Sequence, residues 1–406
     1  MSTSRFQIPE GMQDTLLGEC VRKRCVEQQL RTLFSRSGFT EIETPVLEYY
    51  RTFDDEVYGF DAHRVWKTFD SQGQVLAIRP DSTIPAVRIA ASRLTNEPLP
   101  LRLCYIQNVA AFPADDTSAP CESTQAGVEL MGEKSAMADA EVIALAINSL
   151  KEAGLKEFQI DLGQVAFFKG FMQEAGLSQE QTETLRRYVE EKNILAMQLY
   201  LRECAVPGEV TKRLMKLPQL YGDESVLKEA EAITGNNLCR VAIVNLRQIM
   251  AALHDYGCRD YISIDLGMVH AVNYYSGMIF RGITGHLGRP LLSGGRYDGL
   301  PARFGRAMPA TGFGLSLGLL MDALSSQGED FPAPTTGFVL GVSRRGLRAG
   351  LEWADKKRRE GVSVSLQYDA TKAELVQMVE MGRAKQAAYV MEEKVVVWSR
   401  KEKSWR

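Results

Sequence analysis

The sequence is poor in histidine and has no paired cysteines. Four histidines occur in 406 residues, none at a spacing that would bring two onto one ion, so no metal is expected. The seven cysteines are scattered, odd in number and never arranged as C-x-x-C. That argues against a zinc site or a disulfide framework and for a reducing compartment. An excess of positive charge is also missing: the net charge is −3 and the isoelectric point is near 6.0. A general nucleic-acid binder would show a basic field, although a local patch is still compatible with these numbers. No run approaches the roughly 18 apolar residues of a membrane span. The opening MSTSRFQIPEGMQD lacks the apolar stretch of a signal peptide. The expectation is a cytoplasmic protein with no membrane contact.

What the chain does have is the composition of a folded protein, 45% hydrophobic and 24% charged. At this length it suits two or three domains with at least one sizeable core. Residues 18–37 read as an amphipathic helix with Val26, Leu30, Leu33 and Phe34 on one face, closed by Gly38. Strands are predicted at 64–69, 75–79, 101–108, 124–131, 261–266 and 274–283. Helices are predicted after RPDST, with Ser82 or Thr83 as N-cap, and at 138–153. From about 166 to 256 the pattern turns helical and polar, as an inserted helical domain would. SSQGEDFPAPTTG is the clearest linker. Beyond it apolar strands alternate with helical patterns at 347–359 and 371–381, predicting a small, mostly parallel α/β domain at 337–406.

Four short segments carry candidate site residues, most of them with an ordinary structural reading as well. In TQAGVELMG, Gln125 and Glu129 lie four apart on a strand and face the same side. A carboxylate amid Val128, Leu130 and Met131 is costly unless partnered. RPDST offers Asp81, Ser82 and Thr83 at a helix start, where capping alone would account for them. SGGRYDG has adjacent glycines that permit close backbone approach, with Tyr297 able to cap a pocket; a plain turn explains it as well. VNYYSG reads as a strand with an ordinary packed tyrosine pair. Each segment taken singly is weak evidence.

Their order and spacing are specific. From near the N-terminus to about residue 322 the chain resembles the histidyl-tRNA synthetase branch of the class II aminoacyl-tRNA synthetases. FSRSGFTEIETPVLE is similar to the first class II motif, with its interface proline at Pro45. LRLCYIQNV is similar to the strand opening the second motif, and GFGLSLGLLM to the third. VHAVNYYSG and SGGRYDG are similar to the two segments peculiar to the histidine enzymes. The resemblance implies an α+β fold: an antiparallel sheet flanked by helices over residues 1–324, with a helical insertion at about 166–256. It also implies a linker at 325–336 and a C-terminal domain like a shortened anticodon-binding domain. It further implies a homodimer through the first motif.

The resemblance assigns a histidine pocket in which Asp81, Thr83 and Gln125 hold the α-ammonium while Glu129, Tyr275 and Tyr297 read the imidazole. The phosphate-binding cations do not carry over. The second-motif arginine falls on Ala111, the third-motif arginine on Leu319, and the arginine before the tyrosine pair on His270, with Asn273 where an aspartate belongs. The loop PADDTSAP brings Asp115 and Asp116 instead of cations. Removing a single preorganised donor typically costs about 10²–10³ in rate, so no adenylation, no catalytic residue and no cofactor are expected. Arg296 and Arg102 are the candidates to neutralise the ligand's carboxylate.

A paralogous family with this profile is that of the regulatory subunits of ATP phosphoribosyltransferase. The resemblance implies a short-form catalytic subunit as partner, a requirement for the first step of histidine biosynthesis, and feedback by L-histidine. Two other readings stay open. One is a divergent histidyl-tRNA synthetase, which would need cations where Ala111, His270 and Leu319 stand. The other is a free-standing histidine-sensing or RNA-binding paralogue using the tail cations of SRRGLRAG and KKRREG, which read first as a solvated helix face.

Overall fold

The computed structural model describes residues 7–53, 62–113, 120–269, 274–285, 287–328, 335–392, 394–399 and 402–406. His270, Asn273, Asp115, Asp116 and residues 329–334 of the expected linker lie outside the described residues. The chain divides into two compact units, Met1–Asp14 with Lys23–Glu329, and Thr15–Arg22 with Asp330–Arg406.

Helix α1 (Leu17–Arg36) buries Val26, Leu30 and Phe34, spaced four apart along one face. Gly38 ends it at φ 80°. The amides of Gly38 and Phe39 return to the carbonyls of Ser35 and Phe34 at 3.0 Å each. This is a Schellman closure, with Phe39 buried beyond it. Strand β1 (Thr40–Glu41) follows, then three strands of a small antiparallel sheet: β2 (Leu47–Tyr49), β3 (Lys67–Phe69) and β4 (Val75–Ile78). Helix α2 (Thr83–Ser92) leads into the long hairpin of β5 (Leu101–Ala110) and β6 (Glu122–Met131), paired from Leu101↔Met131 to Ala110↔Glu122.

Helix α3 (Ala136–Glu152) is N-capped by Ser135 and buries Val142, Ile143, Ala146, Ile147 and Leu150. After β7 (Gln159–Gln164) the chain becomes helical: α4 (Val165–Ala175), α5 (Gln179–Glu190), α6 (Ile194–Glu203), α7 (Gly208–Leu214), α8 (Val226–Ile233) and α9 (Asn237–Asp255), with β8 (Tyr221–Gly222) among them. It returns to the sheet through β9 (Ile262–Asp265), β10 (Met278–Ile283) and β11 (Leu292–Arg296). The short α10 (Leu300–Arg303), β12 (Ala310–Ser316) and α11 (Leu317–Ser326) complete this unit. The main sheet runs β1-β5-β6-β12-β11-β10-β7-β9-β8, antiparallel except at β1/β5 and β7/β9.

The second unit holds β13 (Thr336–Val342), α12 (Leu347–Arg359), β14 (Val364–Tyr368), α13 (Lys372–Glu380), β15 (Ala384–Met391), β16 (Lys394–Ser399) and β17 (Ser404–Trp405). Its sheet order is β14-β13-β15-β16-β17. β13 is parallel to both neighbours and the far edge is antiparallel. Leu340, Val342, Ala354, Ala388 and Val390 pack one side of it, and Leu375, Val379 and Ala387 the other. No helix among the described residues is long and apolar enough to cross a membrane.

Two local expectations fail for physical reasons. The strand predicted at 274–283 begins only at Met278, and Tyr274 sits in a turn; the tyrosine pair occupies a corner, where apolar character does not signal a strand. Of Ser82 and Thr83, either of which was expected to cap α2, Ser82 holds the N-cap position but makes no side-chain cap, and Thr83 is the first helical residue. Asp81 takes the role, its Oδ1 accepting from the amides of Thr83 at 2.7 Å and Ile84 at 3.2 Å.

Candidate functional site

A polar cavity opens on the main sheet where β6, β11 and β12 lie side by side. About 40 Å³ is open to the centre of a water-sized sphere, more than a single water requires. Asp81, Thr83, Gln125, Tyr274, Tyr275 and Tyr297 line it together with Ser293, Gly294 and Phe313. Five of the six residues assigned to a ligand from the sequence thus line one space. Glu129, the sixth, is fully buried directly behind Tyr297 and Gly312, which do line it.

Register explains how strand residues reach the cavity. β6 and β12 pair Glu129 with Gly312 and Gly127 with Gly314. A Cβ on Gly312 would lie 1.9 Å from Glu129 Oε2, and one on Gly314 would lie 2.5 Å from Gln125 Nε2. The bare backbone of β12 is therefore the surface over which both polar side chains lie. The adjacent glycines of β11 make room for rings, and Gly294 also lines the cavity. A Cβ on Gly294 would meet the Phe280 ring at 2.7 Å and one on Gly295 the Tyr275 ring at 2.8 Å.

The polar groups form a connected network. Tyr297 donates its hydroxyl to Glu129 Oε2, and Tyr105 donates to Oε1 at 3.2 Å. Thr83 Oγ1 lies 3.4 Å from the Tyr105 hydroxyl. Gln125 Nε2 donates to Asp81 Oδ2 at 3.3 Å and its Oε1 accepts from the Ser82 amide at 2.9 Å. The Tyr274 ring sits 4.8 Å from Tyr275 and meets Tyr297 edge-on at 5.8 Å. Burial pushes the Glu129 carboxyl up to about 8, against hydrogen bonds from Tyr297 and Thr83 that pull it down. Burial also raises Asp81, partly offset by its bonds to Gln125 and the helix amides. The phenols of Tyr105, Tyr274 and Tyr297 are held well above their usual range, burial again acting first.

Neither arginine suggested for the ligand carboxylate is available. Arg296 is 7% exposed. Its guanidinium is gripped by Asp139 at 2.8 Å and Asp298 at 3.1 Å, and it donates further to the carbonyls of Glu133 and Ser135. Arg102 makes a two-pronged pair with Glu141. Among the described residues that line the cavity there is no lysine or arginine. Ala111 sits past the end of β5, bridged to Val65, with its amide on the Cys121 carbonyl at 2.8 Å. Leu319, in the first turn of α11, packs against the main core.

Tyr105, Tyr274 and Phe313 were not among the residues assigned to the pocket from the sequence, Tyr274 being read only as one of a packed pair. Tyr105 pairs across the strands with Gly127, whose added Cβ would lie 2.5 Å from the Tyr105 hydroxyl. An aromatic opposite a glycine was the available signal.

The cavity, its antiparallel sheet and the helical insertion define a class II synthetase-like protein of the histidine type. The histidyl-tRNA synthetase family model matches residues 11–320. The histidyl-tRNA synthetase of Nostoc sp. PCC 7120 superposes with a TM-score of 0.82 over 100% of this chain and 97% of its own, at 19% identity, which speaks to fold alone. The chain belongs, more narrowly, to the family of ATP phosphoribosyltransferase regulatory subunits. It is 40% identical over 366 residues to the ATP phosphoribosyltransferase regulatory subunit of Acetivibrio thermocellus, covering 90% of this chain and 88% of that one. It is 38% identical to that of Ruminiclostridium cellulolyticum over 90% and 87% of the two chains. A crystal structure from Bacillus halodurans, described as an ATP phosphoribosyltransferase regulatory subunit/histidyl-tRNA synthetase, matches with TM-score 0.86 and 33% identity over 96% and 99% of the chains.

Proposed function

We propose that this chain is a non-catalytic regulatory subunit of ATP phosphoribosyltransferase. It acts with a short catalytic subunit in the first step of histidine biosynthesis and binds L-histidine as the feedback signal. The α-ammonium sits against Asp81, Thr83 and Gln125, and the imidazole lies among Glu129, Tyr275 and Tyr297. The protein is cytoplasmic and dimerises through the segment around Pro45.

The observation that carries this reading is the pairing of a built cavity with uncharged side chains at Ala111 and Leu319, where the resemblance places phosphate-holding arginines. A ligand with an amine and a ring bearing N–H donors suits carboxylates, phenols and an amide. A triphosphate facing the same groups would find no described cation.

The test uses the full chain with a short-form catalytic subunit. The two should co-elute on size exclusion, and the chain should raise the phosphoribosyltransferase rate and bring histidine sensitivity with it. Absence of both co-elution and activation would sink the regulatory role. Histidine-dependent pyrophosphate exchange clearly above a heat-killed control would return the reading to a synthetase.

A further inference from the structure

The ligand proposed for the cavity carries a carboxylate, and among the described residues that line the cavity no lysine or arginine stands opposite it. Asp81 and Glu129 already supply two acids joined by one network through Thr83 and Tyr105. The guanidiniums of Arg296, Arg102 and Arg79 are committed elsewhere: Arg296 to Asp139 and Asp298, Arg102 to Glu141, and Arg79 to the Asn108 and Pro45 carbonyls. Residues 54–61, 114–119 and 270–273, which the structure does not describe, contain no lysine or arginine in sequence.

Resting on the histidine-pocket reading, we infer that this site selects the amine and the imidazole ring and makes no charge-paired contact with the carboxylate. Imidazole amines that lack the carboxylate therefore occupy it at least as tightly as histidine does. The physical reason is local. The carboxylate of a bound amino acid lies one carbon from the ammonium that meets Asp81, so it is held close to a like charge. An ion taken from water without a partner loses its solvation without compensation. Replacing it by a neutral hydroxymethyl group or by hydrogen removes both penalties and leaves the amine and ring contacts intact. The site is thus a reader of cationic amines bearing an imidazole, and its effector class includes the amino alcohol that shares histidine's ring and amine.

Calorimetric titration of the full chain at one pH compares L-histidine, L-histidinol, histamine and imidazole-4-propionate, which keeps the ring and the acid but lacks the amine. The expected result is that histidinol and histamine bind as tightly as histidine, or up to about tenfold more tightly, while the propionate does not bind. Asp81→Asn should lower histamine affinity by a larger factor than histidine affinity, because the carboxylate gains when the acid is lost. Histidine binding at least tenfold more tightly than both amines overturns the inference and leaves the pocket reading standing. If none of the four compounds binds, the pocket reading falls and this inference falls with it.

Discussion

Tyr297 closes β11 with its hydroxyl on Glu129 Oε2, while Tyr105 reaches Oε1 of the same carboxyl from β5. One buried acid thus ties together strands that are not neighbours, and its ionisation is linked to the stability of the unliganded fold. Burial raises its pKa from 4.5 to about 8, so the folded state holds the proton more tightly than the unfolded chain. The stabilisation is complete below about pH 4.5 and is lost as pH rises through 8. Asp81 shifts in the same direction, burial again acting first, and adds to the effect. Unliganded protein should therefore lose melting temperature across this window, and Glu129→Gln should flatten the decline. A wild-type profile that is flat or rising from pH 5 to 8 in the absence of ligand would show that Glu129 is ionised throughout.

Two glycine positions within one motif should respond differently to an added methyl group. A Cβ on Gly295 would lie 2.6 Å from the Met278 carbonyl and 2.8 Å from the Tyr275 ring, whereas one on Gly299 meets nothing within 4 Å. Gly299 also has a negative φ of −76°. Gly295→Ala should cost about 1–3 kcal/mol and weaken histidine binding through the displaced tyrosine. Gly299→Ala should stay within about 0.5 kcal/mol of wild type. Denaturant midpoints for the two variants decide it, and equal stabilities would refute the close-packing argument.

The legible parts of the sequence were those in which one local rule governs. Val26, Leu30 and Phe34 repeat at helical spacing and do form the buried stripe of α1. Gln125 and Glu129 alternate onto one face of β6, as period two requires. Less was legible where a residue answers to groups distant in the chain. The tyrosine pair was read as part of a strand because apolar aromatics favour strands, yet Tyr274 sits in a turn with its ring edge-on to Tyr297. Arg296 was free to be a ligand contact until Asp139, 157 residues away, came to hold it. Asp81 caps α2 in place of Ser82, since its carboxylate reaches two amides at once.

The Arg296–Asp139 pair is buried on both sides, 8% and 1% exposed at the side chains. Removing one partner leaves an uncompensated charge, which typically costs about 3–5 kcal/mol. Arg296→Met should therefore be strongly destabilising, and Arg296→Met combined with Asp139→Leu should recover part of that loss. Thermal denaturation of the two variants is the measurement. If the single variant keeps wild-type stability and loses only histidine binding, Arg296 contacts ligand after all.

The last expectation concerns coupling between the cavity and the catalytic partner. For histidine to regulate, it must bind one state of the complex better than another; a ligand with equal affinity for both shifts nothing. A coupling of about 1–3 kcal/mol corresponds to roughly 5–150-fold in affinity, and the linkage is reciprocal. A substrate of the partner that weakens histidine binding must itself be weakened by histidine to the same extent. The chain alone has no such constraint, so its histidine affinity should change once partner and substrate are both present. Glu129 is fully buried behind the cavity wall, with 0% exposure, so Glu129→Gln should leave any assembly surface intact. The variant should co-elute with the catalytic subunit and activate it as wild type does, while the histidine concentration needed for half inhibition rises at least tenfold. Steady-state rates across a histidine titration, with histidine affinity measured with and without substrate, test both halves. A variant that activates normally and is inhibited at the wild-type concentration would place the regulatory site away from this cavity.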